Sequence, residues 1–146
     1  MLGAAATGCV SERERLDVPT VTLNVTSPAP PPGGRVTGRA EASDGSGLTS
    51  LAVYACTADS VFRDNAPLDR ERSVTLDFSL HVSSAAAAGA PVEVYAATFD
   101  DQGFVAEASQ VVYVGGVTGP SGEGLCRRVR PATAVIPASL PTAPTP

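Results

Sequence analysis

From Ser73 to Val82 the chain alternates polar and apolar residues without a break. Val74, Leu76, Phe78, Leu80 and Val82 occupy one parity, and Ser73, Thr75, Asp77, Ser79 and His81 the other. A period of two puts each set on one face of an extended strand, so the apolar face must be covered by a second layer. Pro19–Ser27 repeats the pattern, with Val21, Leu23 and Val25 opposite Thr20, Thr22, Asn24 and Thr26. With 5% aromatics, no Trp and a 43% hydrophobic fraction supplied mainly by Ala and Val, the core is built from small side chains. Such side chains suit the pleated surfaces of a β-sandwich.

The remaining segments read as further strands and the turns between them. Pro28 to Gly34, with four prolines, ends the first strand because proline cannot donate to a ladder. Residues 35–43 alternate through Val36, Gly38, Ala40 and Ala42, small residues that predict a strand lying close to its neighbours. Asp44-Gly45-Ser46-Gly47 then reads as a turn, and 48–57 as a central strand with two apolar faces. The polar stretch 58–71 reads as a long connection carrying a short edge strand at Val61-Phe62. Ala-rich 83–90 is a crossover loop. Residues 92–99 are a second strand with two apolar faces, Asp100-Asp101-Gln102-Gly103 a second acidic turn, and 104–114 the closing strand. From 116 to 146 there are six prolines and no sustained periodicity, which predicts an extended, mostly disordered Pro-rich tail.

The expected class is therefore all-β, a sandwich of about seven antiparallel strands over 18–115, between an N-terminal segment 1–17 and the tail 116–146. Three segments carry a more specific resemblance: Val36-Thr37-Gly38-Arg39-Ala40-Glu41-Ala42-Ser43-Asp44, Gly47-Leu48-Thr49-Ser50-Leu51-Ala52-Val53-Tyr54, and Val92 to Gly103 with its Phe99-Asp100-Asp101-Gln102-Gly103 end. Over 19–114 the chain resembles bacterial immunoglobulin-like domains of surface and secreted proteins, in which a strand–Asp–x–x–Gly pattern recurs at two corners. The core Trp and inter-sheet Cys pair of antibody domains are absent. The resemblance implies a structural or interaction module.

The N-terminus bears on location. Met1 to Cys9 is small and apolar and turns polar at Ser11-Glu12-Arg13, like the last part of a signal peptide. Ala6-Thr7-Gly8-Cys9 resembles the lipobox of bacterial lipoproteins, with Ala6 where Leu is usual. That resemblance implies lipidation at Cys9, charged residues 10–17 as a tether, and an exported protein at the outer membrane, the cell surface or in the periplasm. In such a compartment Cys56 and Cys126 remain to form a disulfide. The alternative is a small buried Cys56 and an exposed Cys126 thiol.

Chemistry-bearing patterns are sparse. The one His, His81, sits on the polar parity of its strand, and no Gly-x-Ser-x-Gly elbow or phosphate-binding loop occurs. The chain reads as non-enzymatic and without an organic cofactor. Asp44, Asp100 and Asp101 are the candidate metal ligands: two corners at one end of a sandwich offer the hard oxygens that Ca2+ prefers. A net charge of −5, from 10 basic and 15 acidic residues, excludes a general nucleic-acid binder. The expected partner is a protein or polysaccharide at the cell surface, with membrane contact through the lipid alone. Arg127-Arg128-Val129-Arg130 is a solvated basic cluster or a contact for acidic headgroups or polysaccharide. Two other functions fit the pattern. One is a carbohydrate-binding module with Tyr54, Tyr95, Phe99, Phe104 and Tyr113 as sugar platforms. The other is a subunit of a surface filament or complex.

Overall fold

The computed structural model describes residues 18–27, 29–130 and 135–137, the last three by backbone alone. Among them, six strands form one hydrogen-bonded sheet: β1 (Thr20–Val25), β2 (Arg35–Cys56), β3 (Val61–His81), β4 (Pro91–Asp100), β5 (Val105–Tyr113) and β6 (Val135–Pro137). The pairings are antiparallel except that between β5 and β6, which is parallel.

The organising element is the β2–β3 hairpin. It is closed by a loop in which the Thr57 N–H donates to the Ser60 carbonyl at 2.9 Å. From that loop the strands stay paired from Cys56↔Val61 to Arg35↔His81. The first half of β2 also pairs with β1 and the second half with β4. The hairpin therefore belongs to two layers, β1–β2–β3 and β3–β2–β4–β5, and must bend between them. The ends of β3 show how far it bends. Phe62 and His81 lie 19 positions apart, a span of about 60 Å in a straight strand, yet their ring centroids are 5.7 Å apart.

The bend lies at Asp44–Gly47, where the β2–β3 register shifts between Ser43 and Leu48. The Asp44 carboxylate accepts hydrogen bonds from the Ser46 and Gly47 N–H groups, which a regular ladder would otherwise satisfy. Gly47 has φ +115°, and a Cβ there would meet the Arg70 Cβ at 3.1 Å. Arg70 itself has φ +69°, so both strands turn at one point. Gly47→Ala is therefore expected to lower stability by about 1–3 kcal/mol, read as a fall in the urea midpoint at constant slope.

Two sequence expectations are corrected here. Asp44-Gly45-Ser46-Gly47 is a bulge inside a continuous strand rather than a turn between two, because β3 runs beside both halves and keeps their backbone groups paired. Residues 58–71 are, from Val61 on, the first half of β3 rather than a connection. Among the described residues β3 pairs with β2 alone. Its charged side chains and Pro67 are the usual equipment of a free edge, and they hide the strand from a search for alternating apolar residues.

The two layers close over one core. Val21 and Val25 from β1, Val36 and Ala40 from β2, and Phe78 and Leu80 from β3 pack with Leu51, Val53, Val92, Val94 and Val112 from the other layer. The small residues of early β2 allow close approach, as expected. A Cβ on Gly38 would overlap the Asn24 carbonyl oxygen and come within 2.7 Å of Phe78 Cζ.

The outer face of the second layer is also covered. Cys56, Tyr95, Ala97 and Val105 form a second cluster with Cys126, flanked by Leu125 and Val129. β4 is consequently buried on both faces, which accounts for its nearly continuous apolar sequence. The fold thus continues past residue 115 to at least Arg130, where an extended tail was expected. Residues 127–129 form a short 3-10 turn, and Val135–Pro137 pairs with Val105–Glu107 as β6. No helix among the described residues is long and apolar enough to cross a membrane.

Candidate functional site

Two places concentrate polar chemistry: an acidic corner at one end of the layers and a buried ionic cluster beneath the C-terminal segment.

The acidic corner joins the β2 bend to the β4–β5 hairpin. Leu48 is the register partner of Asp100, and the Asp101 N–H donates to the Gly47 carbonyl at 3.1 Å. Asp44 follows Ala40 and Ala42 on the inward parity of β2. Asp100 follows Val92, Val94 and Ala96 on the inward parity of β4. Both carboxylates therefore lie at the rim of the core, 5% and 3% exposed. Each uses one oxygen to hold its own stretch of backbone, the β2 bulge for Asp44 and the β4–β5 turn for Asp100. Asp44 Oδ2 accepts from Ser46 N, Ser46 Oγ and Gly47 N, and Asp100 Oδ1 accepts from Gln102 N at 2.9 Å and Phe104 N at 2.8 Å. The other oxygens, Asp44 Oδ1 and Asp100 Oδ2, are buried and make no hydrogen bond. Asp101 is exposed. Of the three carboxylates named from the sequence, Asp44 and Asp100 are thus both buried, on strands joined through Gly47 and Leu48. No group of three or more His, Cys, Asp or Glu side chains in metal-holding proximity occurs among the described residues.

The ionic cluster is tied to the disulfide. Cys56 and Cys126 are bonded, with a Cα–Cα distance of 5.3 Å, and both are fully buried. The link fastens the end of β2 to the C-terminal segment. Beside it, Glu93 is 1% exposed, and its Oε1 accepts the Cys126 N–H at 2.6 Å. Its Oε2 faces Arg130 Nη2 at 3.4 Å. The other arm of Arg130 reaches Glu107 at 3.2 Å, and the guanidinium lies 4.9 Å from the centre of the Tyr95 ring. Burial first, and then the Glu107 carboxylate, raise the Tyr95 hydroxyl far above the ordinary phenol range, against the opposing pull of Arg130. Tyr95 therefore stays neutral at any physiological pH.

Sequence reasoning missed Glu93 and Glu107. For Glu93 the available signal was a carboxylate in the middle of a strand with two apolar faces, a position that demands a buried partner. That partner is Arg130, expected as part of a solvated cluster. The cluster divides: Arg127 and Arg128 are exposed, whereas Arg130 turns inward.

The other candidates fall into place around these two sites. His81 is exposed on the edge of β3, with its Nε2 3.0 Å from Arg35 Nη1. Tyr95 is buried and lies 6.0 Å from Tyr54, ring centre to ring centre, while Phe99 packs against the same cluster. Of the five aromatics considered as sugar platforms, Phe104 alone is exposed. A flat array of stacked rings is not formed by these five. Cys9 lies outside the described residues.

No protein-family model and no curated protein matches the chain. Among solved structures, the crystal structure of Spo0M, a sporulation control protein from Bacillus subtilis, is similar at 14% sequence identity and a TM-score of 0.47. The match covers 66% of this chain and 49% of that one, so the chain spans about half of that protein's length.

Proposed function

We propose that this chain is an exported, non-enzymatic protein. In this reading its curled sheet serves as an immunoglobulin-like structural or interaction module, held to a membrane by lipid on Cys9. The observation that carries the proposal is the Cys56–Cys126 disulfide. It is fully buried and ties two segments 70 residues apart. Structural disulfides of this kind persist in oxidising compartments and are rare where thiols are kept reduced. The burial of Tyr54, Tyr95 and Phe99 in and around the second cluster favours an interaction module over a carbohydrate-binding one.

Intact mass of the full-length protein from its native host tests both parts. The expected species begins at Cys9, carries a diacylglycerol-type adduct there, and shows no free thiol at Cys56 or Cys126 after alkylation without reductant. A mature protein that retains an unmodified Met1 start would remove the anchor. Full alkylation of both cysteines in cells would remove the export assignment.

A further inference from the structure

We propose that the Asp44–Asp100 corner binds a hard divalent cation, Ca2+ in particular. The inference rests on the geometry of the corner and stands whether or not the protein is exported.

Capping explains half of each carboxylate and leaves the other half unexplained. Asp44 Oδ2 and Asp100 Oδ1 hold the bulge and the turn through backbone N–H groups. Asp44 Oδ1 and Asp100 Oδ2 are shielded from solvent and accept nothing. A buried acceptor without a partner is unfavourable, and a charged one more so. Here two such anionic oxygens occur on side chains at least 95% buried. They are linked through one residue, Gly47, whose two flanking peptide groups each contact one side of the corner. Asp44 accepts from the Gly47 N–H at 3.0 Å, and the Gly47 carbonyl accepts from Asp101 N, the residue after Asp100. Two unpaired carboxylate oxygens held by a bulge and a turn at one corner of a core attract a cation.

The chemistry of the corner selects the ion. All the donors on offer are oxygens, which excludes the nitrogen and sulfur preference of Zn2+. Mg2+ demands near-ideal octahedral geometry and gives up water reluctantly, whereas Ca2+ accepts irregular sets of six to eight oxygens. The corner supplies two buried carboxylate oxygens, Asp44 Oδ1 and Asp100 Oδ2, and water would complete an irregular set. Its modest charge places the expected affinity in the weak class of extracellular modules, with Kd about 10⁻⁴–10⁻³ M.

The test is calcium titration of the full-length chain by calorimetry and thermal unfolding, at ionic strength matched with NaCl and with EDTA-treated protein as the reference. Addition of about 10 mM CaCl2 is expected to raise Tm by about 5 °C, with a smaller rise for MgCl2. Asp44→Asn and Asp100→Asn keep an oxygen for the bulge or the turn but remove the charge. Each is expected to weaken Ca2+ binding about tenfold or more while leaving Tm in EDTA unchanged or higher. Asp101→Asn is expected to have a smaller effect. No heat and no Tm shift with wild-type protein at about 10 mM Ca2+ would overturn the proposal, as would equal shifts with Ca2+ and with NaCl alone. A wild-type response that survives intact in Asp100→Asn would also sink it, since the ion then binds elsewhere.

Discussion

Replacing both Cys56 and Cys126 with alanine is expected to lower the stability of the chain by about 4 kcal/mol, the chain-entropy value for a loop of this length. The sequence separation closed by the bond is 70 residues. Natural domains are stable by only about 5–15 kcal/mol, so the loss is a large share of the total. The same variant is expected to expose 117–130 to limited proteolysis while β2–β4 stay protected. The reason is that the segment's fixed points cluster at one place, with Cys126 buried among Cys56, Tyr95 and Val105 and the neighbouring Arg127 and Arg128 exposed. Urea unfolding and a trypsin time course measure the two effects. A variant as stable as wild type, with 117–130 equally resistant, would show that packing alone holds the segment.

Glu93→Ala is expected to cost about 2–3 kcal/mol. The change strands the buried Cys126 N–H and removes one of the two carboxylates that face Arg130. Loss of a fully buried ion-pair partner would cost more, but the Arg130 side chain is 35% exposed and can turn to water. Glu93→Gln keeps an acceptor for the Cys126 N–H and is expected to cost about 1 kcal/mol, which separates the backbone bond from the charge. Chemical denaturation gives the energies, and hydrogen exchange at the Cys126 amide locates them. Because Glu93 and the disulfide act on the same residue, their effects are expected to be non-additive, with a coupling of about 0.5–3 kcal/mol in a double-mutant cycle. Equal stability of Glu93→Ala and wild type would show that the carboxylate does not fasten the segment.

The fold was legible where the residues facing a core recur at short spacing. β1 and the second half of β3 were readable because alternation reflects a local fact, the pleat, and β4 because both its faces are apolar. The first half of β3 was not, since Val61–Arg72 pairs with β2 alone among the described residues and has no wholly buried residue, so it carries no alternating apolar signature. The continuity of β2 through Asp44–Gly47 was also hidden. Asp and Gly signal a departure from regular backbone, and a bulge and a turn have the same residues.

Of the site, the sequence marked Asp44 and Asp100 through their turn chemistry and placed them near each other by an assumed topology. It could not show that each has one oxygen engaged and one buried without a partner, which depends on the packing around the corner. It also allowed Cys56 and Cys126 to pair without establishing that they do.

By itself, then, the sequence determined the β class, the two-faced apolar strands and the residues able to turn, because each is written in spacing over a few positions. Tertiary structure alone decided three things. The long hairpin curls until Phe62 meets His81, the C-terminal segment returns to cover β4, and Glu93 finds Arg130. Each depends on contacts between residues far apart in the chain, and local periodicity contains no record of such contacts.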